Sequence, residues 1–187
     1  MIDRVNILGV NVHAINMGQA LDQIQSWIND QSPHYVCVTP AHGVMDALND
    51  PELRNIFNQC ELVTPDGMSI VWLLKLSGQE HVNRVYGPDL TLAVIERGLE
   101  FGWKHYFYGG APEIPGILAT RLNERFPSIK VVGTFSPPFR TLSDDEEKVI
   151  EHMINQASPD VLWVGISRPK HKKGGWPSLS RNLTSLS

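Results

Sequence analysis

Short apolar runs rich in β-branched and aromatic residues alternate along this chain with longer segments whose apolar residues follow the helical period. The predicted strands cover residues 35–39, 61–63, 105–108, 130–133 and 161–165, and residues 5–12 form a weak strand or a strand pair. The main predicted helices begin near Met17, Asp50, Met68, Pro88, Ile114 and Ser143. Because strand and helix alternate almost throughout, the order predicts an α/β fold with a mostly parallel sheet and helices on both faces.

Two of these helix starts carry strong N-terminal signals. Asp50 is followed by Pro51, which combines a capping side chain with a proline at the first helical position. Ser143 is followed three residues later by Glu146, the pattern of a capping box. We therefore expect helices to begin at these two places.

Composition supports a single α/β domain and argues against several other kinds of protein. The 187 residues are 42% hydrophobic, which is enough for a sizeable core, and the net charge is −4. An isoelectric point near 5.9 argues against a nucleic-acid partner, which normally requires a basic face. No apolar run could span a bilayer and no secretion signal begins the chain. We therefore expect a cytoplasmic protein whose contact with the inner face of the membrane is at most peripheral.

The two cysteines, Cys37 and Cys60, show neither a Cys-x-x-Cys motif nor the spacing of a zinc site. Cys37 lies within an apolar run, so we expect a buried free thiol there. A free thiol also fits a reducing cytoplasm.

The most polar turn lies between a predicted buried strand and the predicted helix at Met68, and it reads Val63-Thr64-Pro65-Asp66-Gly67. Proline presets φ, the aspartate can bond to the backbone ahead of it, and glycine tolerates positive φ. Asp66 is thus expected where a strand ends and a helix begins, which is the ligand edge of an open α/β sheet. The alternative is a sharp turn with a capping aspartate, but a second polar cluster at residues 84–89 favours a site.

Polar residues follow nearly every predicted strand, and parallel strands all end at the same edge of a sheet. That edge would gather Thr39, His42, Asp66, Arg84, Asp89, Gly109, Gly110, Ser167, Arg168 and Lys170. Helix N-termini there favour phosphate, the Gly109-Gly110 turn would let phosphate approach the backbone, and Arg84 could neutralise a diphosphate. The chain has no Gly-x-Gly-x-x-Gly motif and no Walker loop, so dinucleotide and ATP binding lack their signatures.

Each of these residues also has an ordinary structural explanation. Arg84 can be a solvated surface arginine, His42 a turn or helix-cap histidine, and Thr39 a strand-end hydroxyl. The Gly109-Gly110 pair can be a plain turn. A nucleotide-binding α/β regulator would explain the topology, but it would not explain why the Asp-Gly turn occurs together with the cluster at residues 84–89.

Five short motifs, in this order, resemble the WecG/TagA/CpsF glycosyltransferases. They are Thr39-Pro40-Ala41-His42-Gly43, Val63-Thr64-Pro65-Asp66-Gly67, Arg84-Val85-Tyr86-Gly87-Pro88-Asp89, Phe107-Tyr108-Gly109-Gly110, and Val164-Gly165 with Pro169-Lys170. The resemblance extends from about residue 5 to residue 170, and the second and third motifs together are a specific combination. It implies a Rossmann-like domain followed by a basic helical appendage that helps membrane docking.

The resemblance also implies an activity. Such enzymes transfer a sugar with inversion from a UDP-sugar, of the N-acetylmannosamine type or a hexose, to a sugar on a polyprenyl diphosphate carrier. Their products feed teichoic acid, capsule or exopolysaccharide. No metal or other cofactor is implied, and a homo-oligomer is compatible with the family.

The resemblance assigns roles to individual residues. Asp66 is implied as the general base, and Thr39 as part of the catalytic pocket. Substrate binding is implied for His42, Gly67, Arg84, Gly87, Asp89, Gly109, Gly110, Gly165 and Lys170. We expect the Asp66 carboxylate to lie beside a diphosphate cradle formed by the Gly109-Gly110 turn.

The chain departs from the family pattern at two places. Many members have an asparagine where this chain has Ala41, which leaves the polar partner in that pocket undefined. After Lys170 the family usually continues with Gln-Glu, a helix, another strand and the basic appendage, whereas this chain reads His171-Lys172-Lys173. We therefore expect an incomplete α/β domain at residues 1–170 and an atypical, disordered tail at residues 171–187.

A shift of reading frame after Lys170 would produce such a tail, and translating the other frames downstream of that codon tests this hypothesis. The departure after Lys170 also leaves open an alternative to an active transferase, namely that the chain is a truncated, inactive remnant that binds nucleotide without turning it over.

Overall fold

The computed structural model describes residues 2–30, 33–165 and the backbone of 183–186, and it confirms the predicted α/β class. The strands are β1 (Arg4–Ile7), β2 (Val10–His13), β3 (Tyr35–Thr39), β4 (Leu62–Pro65), β5 (Lys104–Gly109), β6 (Lys130–Phe135), β7 (Val161–Gly165) and β8 (Leu183–Leu186). Strands β3 to β8 form one sheet in the order β4-β3-β8-β7-β5-β6, and every neighbouring pair is parallel. All loops that follow these strands therefore leave from one edge of the sheet.

The helices connect these strands. They are α1 (Met17–Asp30), α2 (Ala41–Asn49), α3 (Pro51–Gln59), α4 (Met68–Leu76), α5 (Gly87–Phe101), α6 (Ile114–Arg125) and α7 (Asp144–Ala157). The Asp50 carboxylate caps α3 by accepting the backbone N–H groups of Glu52 and Leu53. Ser143 and Glu146 form the predicted capping box of α7. None of the described helices is both long enough and apolar enough to cross a membrane.

Helices cover both faces of the sheet, because successive strand residues point to opposite sides. On one face α1, α5 and α6 bury a core that includes Ile24, Leu90, Ile95 and Leu122 against Val36, Phe107 and Trp163. On the other face the β1–β2 hairpin, α2, α3 and α4 bury Val12, Val44, Phe57 and Ile70, while α7 buries Ile150 and Ile154 against Tyr106 and Leu162. Both faces of the strands are thus apolar, as a covered parallel sheet requires.

Residues 5–12 form an antiparallel hairpin, so the strand pair is the correct one of the two predicted alternatives. Its two turn residues, Leu8 and Gly9, both have positive φ, at 51° and 92°. That geometry matches the right-handed twist of the strands it joins. The hairpin is tied to the sheet edge because the Val63 N–H donates to His13 Nδ1 at 2.9 Å.

Two expectations differ from the structure. The prediction of a free Cys37 thiol is wrong, since Cys37 and Cys60 form a disulfide with their Cα atoms 6.5 Å apart. These cysteines belong to neighbouring segments that only the pairing of β3 with β4 brings together. The backbone of 183–186 is a strand between β3 and β7, where no regular structure was predicted, because sheet hydrogen bonds can order a segment that has no strand period. The other residues of the tail lie outside the described part of the chain.

Candidate active site

Asp66 follows β4 directly and stands at the carboxyl edge of the sheet. Its N–H donates to the carbonyl of Thr39 at 3.2 Å, so the ends of β3 and β4 are joined at this point. Asp66 is only 8% exposed, and Thr39 is fully buried. The Thr39 hydroxyl donates to the carbonyl of Cys37 at 3.4 Å within its own strand. The two residues assigned to the catalytic pocket are therefore neighbours, and Thr39 positions the backbone that presents Asp66.

Arg84 donates hydrogen bonds to Asp66 through two nitrogens of its guanidinium group. Nε donates to the Asp66 carbonyl at 2.5 Å, and Nη2 donates to the carboxylate Oδ1 at 3.1 Å. The guanidinium also lies over the ring of Tyr86, with 4.2 Å between Cζ and the ring centroid. The Val85 N–H donates to the Pro65 carbonyl at 2.8 Å. These contacts hold the segment at residues 84–86 against the Asp66 turn, so the two polar clusters of the sequence form one site.

The charge state of Asp66 reflects opposing influences. Burial raises the pKa of the carboxyl above its ordinary value because it disfavours the charged form. The positive charge and hydrogen bond of Arg84, and then the charge of His42, act to lower that pKa, whereas Asp89 acts to raise it. His42 and Asp89 are therefore close enough to act electrostatically on the Asp66 carboxyl.

Three helices begin around Asp66. Helix α2 begins at Ala41, α4 at Met68 and α5 at Gly87. A Cβ at Gly67 would lie 3.1 Å from the backbone nitrogen of Ala41, so a larger residue there would press on the start of α2. Free N–H groups and the positive ends of helix dipoles therefore converge on this edge, and both attract anions.

A cavity of about 370 Å³ opens farther along the same edge, between α5 and α6 and above the ends of β5 and β7. Its floor includes Gly109, Gly110 and Gly165, and its walls are mainly apolar. Gly109 has a φ of 113°, and a Cβ there would fall on the backbone oxygen of Gly165. The Gly110 N–H donates to that same oxygen at 2.8 Å. Only glycine at position 109 therefore allows this close approach of the two strand ends.

Asp66 and the Gly109-Gly110 turn share an edge, but they are not side by side as the sequence led us to expect. Three strands, β3, β8 and β7, lie between β4 and β5 in the sheet. That separation is four strand spacings, or roughly 19 Å measured along the edge. The N-terminus of α5 spans the interval, since Asp89 acts on the Asp66 charge and Pro88 lines the cavity. The site is therefore elongated, with a charged end at Asp66 and an apolar end at the cavity.

Sequence reasoning missed the apolar wall of the cavity. Thr91 and Leu92 of α5 and Ile114 and Leu118 of α6 contribute to it, and each looks like an ordinary core residue of an amphipathic helix. Tyr86 could have been found, because it stands two residues from Arg84 in an extended segment and so shares a side with it. Ser167, Arg168 and Lys170 lie outside the described residues. Within the described part of the chain, no three His, Cys, Asp or Glu side chains gather as metal ligands would.

This architecture defines a Rossmann-like α/β protein whose candidate site lies at the carboxyl edge of its parallel sheet. The sequence model of the "Glycosyl transferase WecG/TagA/CpsF family" matches residues 5–179, and the chain belongs to this family.

Two curated relatives carry the same name, N-acetylglucosaminyldiphosphoundecaprenol N-acetyl-beta-D-mannosaminyltransferase. The one from Bacillus spizizenii is 24% identical over 137 residues, which are 73% of this chain and 51% of that protein. The one from Bacillus subtilis strain 168 is 19% identical over 159 residues, which are 84% of this chain and 60% of that protein. The chain thus spans between about half and three fifths of the length of these relatives.

Proposed function

We propose that this chain transfers a sugar from a UDP-sugar to a sugar carried on polyprenyl diphosphate, in the synthesis of a cell-surface polysaccharide. The observation that carries this proposal is the buried carboxylate of Asp66, held by Arg84 where three helices begin. The names of the two relatives support the acceptor class and favour an N-acetylmannosamine donor. Teichoic acid is the product type that we favour, with capsule and exopolysaccharide as alternatives.

Asp66 acts in this scheme as the general base. Its carboxylate takes the proton of the acceptor hydroxyl, and the hydroxyl oxygen then forms a bond to the anomeric carbon of the donor. The bond from that carbon to the diphosphate breaks on the opposite side, so the configuration inverts and UDP departs. A positioned base of this kind contributes about 10²–10⁴-fold to a rate.

Arg84 links the base to the leaving group. Its Nε and Nη2 are occupied by Asp66, while Nη1 has no hydrogen-bond partner among the described residues. The side chain is 44% exposed, so its free edge can donate hydrogen bonds to a diphosphate oxygen. Arg84 and the helix N-termini can together stabilise the charge of departing UDP, and the scheme requires no metal ion.

The cavity beside the Gly109-Gly110 turn suits the nucleoside end of the donor. Its apolar walls can enclose the nucleobase of the donor, while the Gly109-Gly110 turn lets the diphosphate approach the backbone. The diphosphate would then extend along the start of α5 towards Arg84. This arrangement uses the full length of the site, with the transferred sugar at the Asp66 end. Because the acceptor is a lipid, we propose that the reaction takes place at the cytoplasmic face of the membrane.

A UDP-release assay tests the proposal. The purified chain is incubated with UDP-N-acetylmannosamine and N-acetylglucosaminyl diphosphoundecaprenol, and with each substrate alone. We expect UDP release only when both are present, with UDP-glucose as the comparison donor. Binding of UDP without acceptor-dependent release would contradict the transferase and favour the nucleotide-binding alternative.

A further inference from the structure

Helix α4 is apolar on its exposed side as well as on its buried side. It buries Ile70, Val71 and Leu74 against the sheet. Four of its remaining residues are nevertheless exposed and apolar, namely Met68, Trp72, Leu73 and Leu76. Trp72 is 61% exposed and Leu76 is 84% exposed. The other two exposed residues of α4, Ser69 and Lys75, are polar, so its exposed side is mostly apolar rather than the usual polar face of a surface helix.

The exposed side of α7 shows the contrast. Its first turn carries Asp144, Asp145, Glu146 and Glu147, and it buries only Ile150 and Ile154. Apart from the exposed Val149, that is the usual division between a polar surface and an apolar inner stripe. The outer side of α4 therefore requires a specific explanation, because a contiguous exposed apolar surface marks an interaction site. We call Met68, Trp72 and Leu76, which recur every four residues, the α4 ridge.

The position of the α4 ridge identifies its occupant. Helix α4 begins at Met68, two residues after Asp66, and runs away from the carboxyl edge of the sheet. At 1.5 Å per residue, Trp72 and Leu76 stand roughly 6 and 12 Å beyond Met68 along the helix axis. Helix α2 begins at the same edge and exposes Met45 and Leu48. An apolar surface thus starts beside the proposed base, at the end of the site away from the donor cavity.

We propose that the α4 ridge binds the prenyl chain of the lipid-linked acceptor. This inference rests on the proposed function, because an acceptor with its sugar hydroxyl at Asp66 must direct its diphosphate and lipid across the neighbouring surface. The cavity at Gly109 lies beyond the start of α5 and is needed for the donor. The α4 ridge offers apolar contact on the free side of Asp66, and partial burial of Trp72 and Leu76 would favour a prenyl chain over a water-soluble acceptor.

Direct binding tests this inference without any need for catalysis. The probe is a short polyprenyl diphosphate, titrated by calorimetry into the wild type, into the double variant W72S/L76S and into V149S. Val149 is a matched control, since it is a helical residue that is 67% exposed on α7. We expect the double variant to bind at least about tenfold more weakly and V149S to bind like the wild type. Equal binding by all three proteins would overturn the inference.

Kinetics separate this inference from the proposed function. If sugar transfer occurs, W72S/L76S should raise KM for the prenyl-linked acceptor about tenfold and leave kcat and the donor KM unchanged. Transfer with an unchanged acceptor KM would overturn the role of the α4 ridge alone. If no transfer occurs but prenyl diphosphate binding still depends on Trp72 and Leu76, the proposed function fails and the ridge assignment stands.

Two other occupants have their own signatures. Concentration-dependent dimers that are lost in W72S/L76S, with prenyl diphosphate binding unchanged, would show that a second copy covers the α4 ridge. If W72S/L76S also binds phosphatidylcholine vesicles that contain no prenyl lipid more weakly than the wild type, by the same factor as it binds prenyl diphosphate, the ridge binds a bilayer in general. Either result would overturn the assignment to the acceptor. An unchanged thermal unfolding midpoint in the double variant confirms that these surface changes leave the fold intact.

Discussion

The guanidinium of Arg84 spans both the backbone and the side chain of Asp66. Nε reaches the carbonyl oxygen and Nη2 reaches Oδ1, although eighteen positions separate the two residues along the chain. One arginine therefore fixes both the position of the Asp66 turn and the orientation of its carboxylate. The arrangement keeps a buried acid paired while one edge of the guanidinium remains open to a ligand.

The first prediction concerns Asp66 as the base. Asp66→Asn should lower the rate of sugar transfer by about 10²–10⁴-fold, because the amide cannot take a proton. UDP binding, measured by calorimetry, should change little. Asp22→Asn is the matched control, because Asp22 also pairs with an arginine, Arg97, but on the exposed surface of α1. Transfer by the Asp66 variant at the wild-type rate would remove this residue from the mechanism.

The second prediction concerns the pH dependence of transfer. Burial raises the pKa of Asp66 and the charge of Arg84 opposes that rise, so removing the arginine should raise the pKa further. Only the ionised carboxylate acts as a base, so the rate should fall on the acid side of the pH profile. In Arg84→Gln that fall should occur at higher pH than in the wild type. Identical acid limbs in profiles of kcat/KM would contradict the coupling.

The third prediction concerns the turn under the cavity. Gly109→Ala should destabilise the fold by about 2 kcal/mol or more, because φ is positive and the new methyl group meets the backbone of Gly165. UDP binding should weaken as well. Gly116→Ala on α6 is the control, since a Cβ there meets nothing within 4 Å and alanine favours a helix by up to about 1 kcal/mol. Urea unfolding of both variants provides the measurement, and equal stabilities would contradict the clash.

The fourth prediction concerns acid sensitivity of the core. Burial lowers the pKa of His105 from 6.5 to about 4, and its Nδ1 accepts the indole N–H of Trp163 at 3.2 Å. The unfolded chain therefore binds a proton more readily between these values, so stability falls as the pH falls through 6.5 towards 4. His105 alone should lower the free energy of unfolding by about 2 kcal/mol between pH 7 and pH 5.

Urea unfolding at both pH values checks the role of His105. The difference in stability between them should shrink in His105→Gln, whose side chain does not titrate. It should persist in His152→Gln, which changes an exposed histidine on α7. An undiminished difference in the His105 variant would assign the acid sensitivity to other groups, such as His13, whose pKa is also lowered to about 4.

Local sequence signals predicted most of the secondary structure. The helix start at Met68 and the bounds of the strand at residues 161–165 were predicted as observed, and Asp50 and Ser143 cap the helices they were expected to start. Strands β5 and β6 extend beyond their predicted ranges, because pairing with neighbours adds residues whose own preference is weak. The strand at residues 183–186 had no sequence signal, since its place depends on hydrogen bonds from both β3 and β7.

The candidate site was predicted in part. Parallel topology alone requires that Thr39, Asp66 and Gly109 share an edge, and the order of polar turns was enough to see this. The distance between Asp66 and the glycine turn could not be predicted, because it depends on which strands pair, and chain order does not state that. The apolar cavity could not be predicted from the sequence either, since residues that line a pocket and residues that fill a core have the same composition.

By itself, the amino-acid sequence determined the α/β class, the helix starts and the family to which this chain belongs, because periodicity, capping and turn chemistry act between residues close in the chain. Only the tertiary structure decided that Arg84 pairs with Asp66, that Cys37 forms a disulfide with Cys60 and that α4 leaves an apolar ridge exposed. These features depend on the order in which strands pair and on which side of each helix another element covers. Both are settled by long-range packing, which no local pattern records.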